Sequence, residues 1–147
     1  GVIAAYGLWD DIRATVMPQQ AVLSEEGQIS VPRARDGHYY LTLKINDKPV
    51  EFLVDTGASD MVLNAETAQQ LGIDTGSLVY LGRAMTANGE VRTARVTLES
   101  VTLGPISDQN VSAWVNEGAL EQSLLGMGYL QRFSGIEIRN NELILTR

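Results

Sequence analysis

The sequence predicts a mostly β domain, either a barrel or a sandwich, with one or two short helices. Apolar and polar residues alternate along several short runs, which is the pattern of half-buried strands. Turn-forming pairs such as Asn46-Asp47 and Asn140-Asn141 separate these runs, and only two short stretches carry helix signals. The 147 residues are enough for one domain with a hydrophobic core.

The composition excludes several functional classes. Apolar residues make up 44% of the chain and charged residues 20%, which is typical of a folded soluble domain. The net charge of −7 argues against nucleic-acid binding, which needs cationic side chains against the phosphates. The absence of cysteine excludes disulfides, a thiolate zinc site and a cysteine nucleophile. The single histidine, His38, is predicted to be a structural or surface residue, and we expect no metal ion and no cofactor.

Residues 1–9 are almost wholly apolar and are followed by Asp10-Asp11. They are too short to cross a bilayer, which takes about 20 residues. Two interpretations stay open: a short packed segment, or the end of a transmembrane helix with Trp9 at the membrane interface. We divide the chain into a juxtamembrane segment or linker at residues 1–30 and one folded domain at residues 31–147.

The first strong pattern is a predicted hairpin. Residues 38–45 alternate between apolar and polar, and residues 46–49 form a turn. A second strand at residues 50–54 ends directly at Asp55. A separate short strand is expected before the hairpin, near residues 29–31.

Two short helices are predicted. Residues 61–63 form a short buried strand, after which Asn64 caps a helix that Gly72 ends. The second helical stretch covers residues 127–133. Both are too short to dominate the fold, which supports the mostly β class.

A second β region is predicted from residue 78 to residue 103. Ala87-Asn88-Gly89-Glu90 lies at its centre, and Asn-Gly is a strong hairpin signal. Further strands are expected at residues 111–115, 136–138 and 143–145. The last two flank a turn and would close the domain.

One carboxylate stands out chemically. Asp55-Thr56-Gly57 directly follows a hydrophobic strand, which would hold the carboxylate on a rigid element, and Gly57 would allow close backbone approach. The same triplet is also an ordinary turn sequence, so by itself it does not establish a catalytic site.

The surrounding motifs resemble those of the retropepsin-like aspartic proteases. Residues 52–59, with the sequence Phe-Leu-Val-Asp-Thr-Gly-Ala-Ser, are similar to the active-site motif of that family. Leu124-Leu125-Gly126, which precedes a helix, resembles its second signature of two aliphatic residues and a glycine. The hairpin at Ala87-Asn88-Gly89 lies between them, where the family has its flap. The order and spacing agree over residues 36–147, which implies a single-lobed, retropepsin-like barrel.

This resemblance implies a hydrolase that cleaves peptide bonds. Two neighbouring carboxylates would share one proton and activate a water molecule, without a covalent intermediate. One chain contains a single Asp55-Thr56-Gly57, so the second Asp55 would come from another copy in a homodimer. We assign catalysis to Asp55, Thr56 and Gly57, with Thr56 bonding its counterpart across the dimer axis. The closing strands at residues 136–147 are expected to contribute to the interface.

Substrate would be a protein or an extended peptide held under the flap. The resemblance assigns substrate binding to six residues: Ala58, Ser59, Asp60, Ala87, Asn88 and Gly89. Retroviral members usually carry an acidic residue two positions after the motif glycine, where this chain has Ser59; Asp60 follows it. This departure keeps an alternative open: a catalytically silent domain that serves for dimerisation or peptide binding.

Residues 86–89, 115–120 and 123–127 also resemble a bacterial branch of these proteases that carries an N-terminal membrane anchor. The scarcity of Lys and Arg after residues 1–9 favours the non-cytoplasmic side of a membrane. The predicted location is therefore the bacterial inner membrane, with the protease domain in the periplasm. A soluble cytoplasmic protein is the alternative.

Overall fold

The computed structural model describes residues 22–23, 28–86 and 89–147. The predicted anchor at residues 1–9 and the flap residues Ala87 and Asn88 lie outside this range. The strands are β1 (Val22–Leu23), β2 (Gln28–Pro32), β3 (Tyr40–Ile45), β4 (Lys48–Val54), β5 (Met61–Asn64), β6 (Gly82–Thr86), β7 (Gly89–Leu103), β8 (Ile106–Asn116), β9 (Leu124–Leu125), β10 (Gly135–Arg139) and β11 (Glu142–Thr146). The helices are α1 (Ala65–Gln70) and α2 (Met127–Leu130), and Thr75–Ser77 forms a 3-10 turn.

The predicted mostly β class with short helices is confirmed. None of the helices in the described ranges has the length and apolar character needed to cross a bilayer. β2 runs across the predicted boundary between residues 30 and 31, and the division into two segments stays a prediction.

The larger sheet has the strand order β3-β4-β9-β5-β8-β7-β6. β3 also pairs with β7, so the sheet curls back on itself into a barrel-like form. β9 lies between β4 and β5 and is parallel to β4. This arrangement brings the end of β4, where Asp55 follows, against the second predicted motif at β9.

The smaller sheet has the order β1-β2-β11-β10 and covers one side of the core. Ile29 and Val31 of β2 lie opposite Leu145 and Leu143 of β11, and all four side chains are buried. β10 forms the outer edge of this sheet next to β11. The face that covers the core therefore continues onto β10.

The local turn and cap signals are confirmed. Asn46 and Asp47 have φ angles of 50° and 70°, which fit a tight two-residue hairpin turn between β3 and β4. Asn64 Oδ1 accepts a hydrogen bond from the Thr67 backbone N–H at 2.9 Å and caps α1. Gly72 follows α1 with a φ of 87°, a conformation that favours glycine.

Two predicted elements are shorter than expected. The helix predicted at residues 127–133 ends at Leu130, because Phe133 instead turns to donate its N–H to the Leu130 carbonyl. The second β region begins at Gly82 rather than at residue 78, since the preceding residues have no partner strand in the described part of the chain.

Candidate active site

Asp55 lies immediately after β4, where two distant chain segments meet. Leu53 is paired with Leu124 across the parallel strands β4 and β9. The backbone N–H of Asp55 donates a hydrogen bond to the Leu125 carbonyl at 3.0 Å. The backbone that carries the carboxylate is therefore fixed by the second predicted motif.

The Asp55 carboxylate is oriented by the turn that follows it. Its Oδ1 accepts the Gly57 backbone N–H at 2.9 Å, and the Ala58 N–H donates to the Asp55 carbonyl at 3.1 Å. A Cβ atom at position 57 would lie only 3.1 Å from Oδ1. Gly57 thus allows the backbone to approach the carboxylate closely. The side chain is half-buried.

The segment that follows β9 forms backbone hydrogen bonds with the turn after Asp55. Met127 N–H donates to the Ala58 carbonyl at 2.9 Å, and Gly128 N–H donates to the Ser59 carbonyl at 2.7 Å. A Cβ atom on Gly126 would lie 2.3 Å from the Asp60 carbonyl oxygen. Only glycine fits at position 126, which gives the second motif a clear structural role.

An open cavity of about 540 Å³ lies beside Asp55. Its described lining consists of Asp55, Gly57, Ala58, Ser59, Asp60, Val62, Gly82, Arg83, Ala84, Met85, Thr93, Trp114, Asn116, Leu120 and Leu124. Five of the residues predicted for catalysis or binding are therefore brought together in one place.

The other predicted site residues do not line this cavity in the described structure. Thr56 is exposed next to Asp55. Gly89 begins β7 with a φ of 110° and pairs with Thr86. Ala87 and Asn88 fall outside the described residues. The functional roles of all these residues stay predictions.

Sequence reasoning missed several cavity residues. Trp114 lines the cavity, and its Nε1–H donates to Asp60 Oδ2 at 3.0 Å. Thr93 and Asn116 are buried polar residues of the lining, and Gly82 packs against both Thr93 and Trp114. These residues come from β6, β7 and β8, so only the pairing of those strands with one another and of β8 with β5 could have placed them near Asp55.

Several polar side chains interact around the start of β3. Tyr40 donates its hydroxyl to Asp36, which lowers the pKa of Asp36 and raises the pKa of Tyr40 to about 12. Burial raises the pKa of Glu51 on β4, and the negative charge of Asp36 adds to this effect. His38 donates its backbone N–H to Asp36 and keeps its side chain exposed.

Across residues 28–86 and 89–147, no three acidic, histidine or cysteine side chains are grouped to hold a metal ion.

Comparison with known proteins gives one consistent result. The family described as gag-polyprotein putative aspartyl protease matches residues 41–132. An uncharacterized protein of Rickettsia prowazekii is 41% identical over 132 residues, and one of Sinorhizobium sp is 35% identical over 144 residues. These matches cover 90% and 95% of this chain but only 57% and 62% of the two relatives.

Solved structures show the same similarity. The crystal structure of a retropepsin-like aspartic protease from Rickettsia conorii is 45% identical, with a TM-score of 0.75, covering 81% of this chain and 89% of that one. An inhibitor complex of EIAV protease has a TM-score of 0.53 at 22% identity, covering 67% and 89%. The retroviral protease-like domain of Ddi1 from Leishmania major has 0.51 at 20%, covering 74% and 93%. The last two share the fold alone.

Proposed function

The chain belongs to the retropepsin-like aspartic proteases, and we propose that it is an aspartic endopeptidase in which Asp55 from two identical copies activates a water molecule. The observation that carries this proposal is the Asp55 carboxylate, held at the end of β4 on the wall of an open cavity. The described lining of that cavity contains no histidine or lysine to activate Ser59 as a nucleophile. General acid–base catalysis by carboxylates is the chemistry that these side chains fit.

Two Asp55 carboxylates placed together would share one proton, because two adjacent negative charges repel each other. The ionised carboxylate would take a proton from water, which then attacks the carbonyl carbon of the peptide bond. The protonated carboxylate would donate to the carbonyl oxygen and later help to protonate the leaving amine. The Gly57 N–H would hold one oxygen of each carboxylate in place throughout.

The edge strand β10 is the surface that best fits a second copy. Ile136 and Ile138 lie opposite Leu145 and Leu143, so they share the sheet face whose other residues are buried in the core. Yet Ile136 is 38% exposed and Ile138 67% exposed. In the described part of the chain β10 is an edge strand, and an exposed apolar face at a sheet edge favours coverage by another protein surface. A second β10–β11 hairpin would provide it.

An extended peptide would bind along β6. This strand lies at the end of the larger sheet, and Gly82, Ala84 and Met85 line the cavity beside Asp55. A peptide in extended form can bond to such an edge through its backbone while its side chains enter pockets. The β6–β7 hairpin is thus the flap of the proposed enzyme.

The test is proteolysis of denatured casein by the wild-type protein and by Asp55→Asn. The variant keeps the size of the side chain but cannot act as a base, so we expect cleavage to be lost while the circular dichroism spectrum and melting temperature stay close to wild type. A silent binding module predicts no cleavage by either protein. Cleavage by Asp55→Asn at the wild-type rate would contradict the role of Asp55.

Location and anchoring also belong to this proposal. An anchor that ends in residues 1–9, with the protease domain in the periplasm, rests on the apolar sequence of those residues. A tethered chain would meet its partner at a high effective concentration, which would favour a weak dimer.

A further inference from the structure

Asp60 is a second carboxylate on the wall of the cavity, and it is held separately from Asp55. The Trp114 indole N–H donates to Asp60 Oδ2 at 3.0 Å, and Val62 lies directly opposite Trp114 on the paired strands β5 and β8. Trp114 therefore fixes the direction in which the Asp60 side chain points.

Two glycines pack against the Asp60 and Trp114 side chains. A Cβ atom on Gly128 would lie 2.3 Å from Asp60 Oδ1, and one on Gly82 would lie 3.0 Å from the Trp114 ring. Gly82 therefore allows the flap strand to pass directly over the indole, while Gly128 allows α2 to approach the carboxylate. The pair is packed from both sides and has little freedom to reorient.

The shape and charge of the cavity define what it can hold. Val62, Leu124 and the Trp114 ring form apolar walls, and Asp60 places negative charge at one side. Arg83 is the cation of the described lining, and its guanidinium is paired with Glu90 at 2.9 Å. Among the described residues Asp60 accepts the neutral Trp114 N–H and forms no ion pair, so its negative charge is not balanced within the cavity. A side chain with an apolar stem and a cationic head matches this combination.

We propose that Asp60, oriented by Trp114, makes this cavity a pocket for a lysine or arginine side chain of the substrate, close to the bond that is cleaved. The inference rests on the proposed peptidase function and adds a substrate preference to it. Asp60 would bind the cationic head directly. Trp114 would act as a positioning residue that keeps the carboxylate turned into the pocket.

The first test is cleavage of a proteome-derived peptide library, with the products identified by mass spectrometry. Wild type should show enrichment of Lys or Arg at one fixed position near the cleaved bond. In Asp60→Asn this enrichment should disappear, with kcat/KM for basic peptides falling at least about tenfold, because a charged hydrogen bond is lost. Asp47→Asn, on the exposed β3–β4 turn, is the matched control and should leave the profile unchanged.

Trp114→Phe separates positioning from packing, since it keeps an aromatic ring but removes the donor. The KM for basic peptides should rise several fold more than the KM for neutral peptides, which reports the change in the ring that lines the cavity. A loss confined to overall stability, with KM unchanged, would reduce Trp114 to a structural residue. Retention of the basic preference in Asp60→Asn would overturn the proposal.

A binding measurement separates failure of this inference from failure of the peptidase assignment. In the Asp55→Asn background, a peptide with lysine at the selected position should bind more tightly than the same peptide with norleucine. The difference should vanish in Asp55→Asn/Asp60→Asn. If the library is not cleaved, no position is selected in advance. Peptides with lysine at each position in turn are then compared with the matching norleucine peptides in the same binding assay. Equal binding of lysine and norleucine peptides would overturn the inference whether or not the protein cleaves them.

Discussion

The backbone N–H of Asp55 donates a hydrogen bond to the carbonyl oxygen of Leu125 at 3.0 Å. This bond joins the two sequence motifs that point to the site, although they are far apart along the chain. Before this bond along the two strands, Leu53 pairs with Leu124. After it, Gly126, the residue that follows Leu125, packs against the backbone of the turn. The two motifs form one structural unit, in which the second holds the first in place.

Gly126→Ala tests that unit. The added Cβ would lie 2.3 Å from the Asp60 carbonyl oxygen and 2.6 Å from that of Ala58, so the backbone of the turn must move. We expect a loss of about 1–3 kcal/mol in the free energy of unfolding, measured by urea denaturation, together with reduced peptide cleavage. Gly76→Ala is the control, because its Cβ would meet only Asp74 at 3.5 Å. Equal stability of both variants would contradict the packing role of Gly126.

The sequence predicted those parts of the fold that depend on neighbouring residues. The turn at Asn46-Asp47 and the cap at Asn64 follow from side chains that favour left-handed backbone or bond to a nearby N–H. The alternation along β3 and the end of β4 at Asp55 were likewise readable, because the period of a strand fixes which side chains are buried.

The remaining features depend on which strands pair, and that is decided by tertiary packing. Trp114 reaches Asp60 only because β5 and β8 are parallel neighbours in a register that sets Val62 against Trp114. The exposed position of Ile138 at the edge of the smaller sheet likewise depends on β11, which pairs with β2 on one side and with β10 on the other. Neither register has a signal in the residues themselves.

Ile138→Lys tests the proposed contact surface. Ile138 is 67% exposed on β10, so a lysine costs little in one copy but would place a charge inside an apolar contact between two copies. We expect the dimer dissociation constant, measured by sedimentation, to rise at least about tenfold, with activity per chain falling at low protein concentration. Val79→Lys, at a position 68% exposed outside this sheet, should not change the dissociation constant. An equal effect of both variants would place the interface elsewhere.

Glu51→Gln tests the effect of burying a carboxyl group on β4. Burial raises the pKa of Glu51, and its Oε2 is buried without a hydrogen-bond partner in the described structure. The folded protein therefore holds the proton more tightly than the unfolded chain, so ionisation of Glu51 lowers stability as pH rises past its ordinary value. The melting temperature of Glu51→Gln relative to wild type should be higher at pH 7 than at pH 4. A difference that is the same at both pH values would contradict this assignment.

The central claim is that two Asp55 carboxylates, one from each copy, form a single catalytic site. The most direct measurement is the cleavage rate of mixtures in which wild-type and Asp55→Asn chains are refolded together at constant total concentration. With a shared site only pairs of wild-type chains are active, so the rate should fall with the square of the wild-type fraction, to about a quarter in an equal mixture. A linear fall, to about half in the equal mixture, would show that each chain works alone and would contradict the claim.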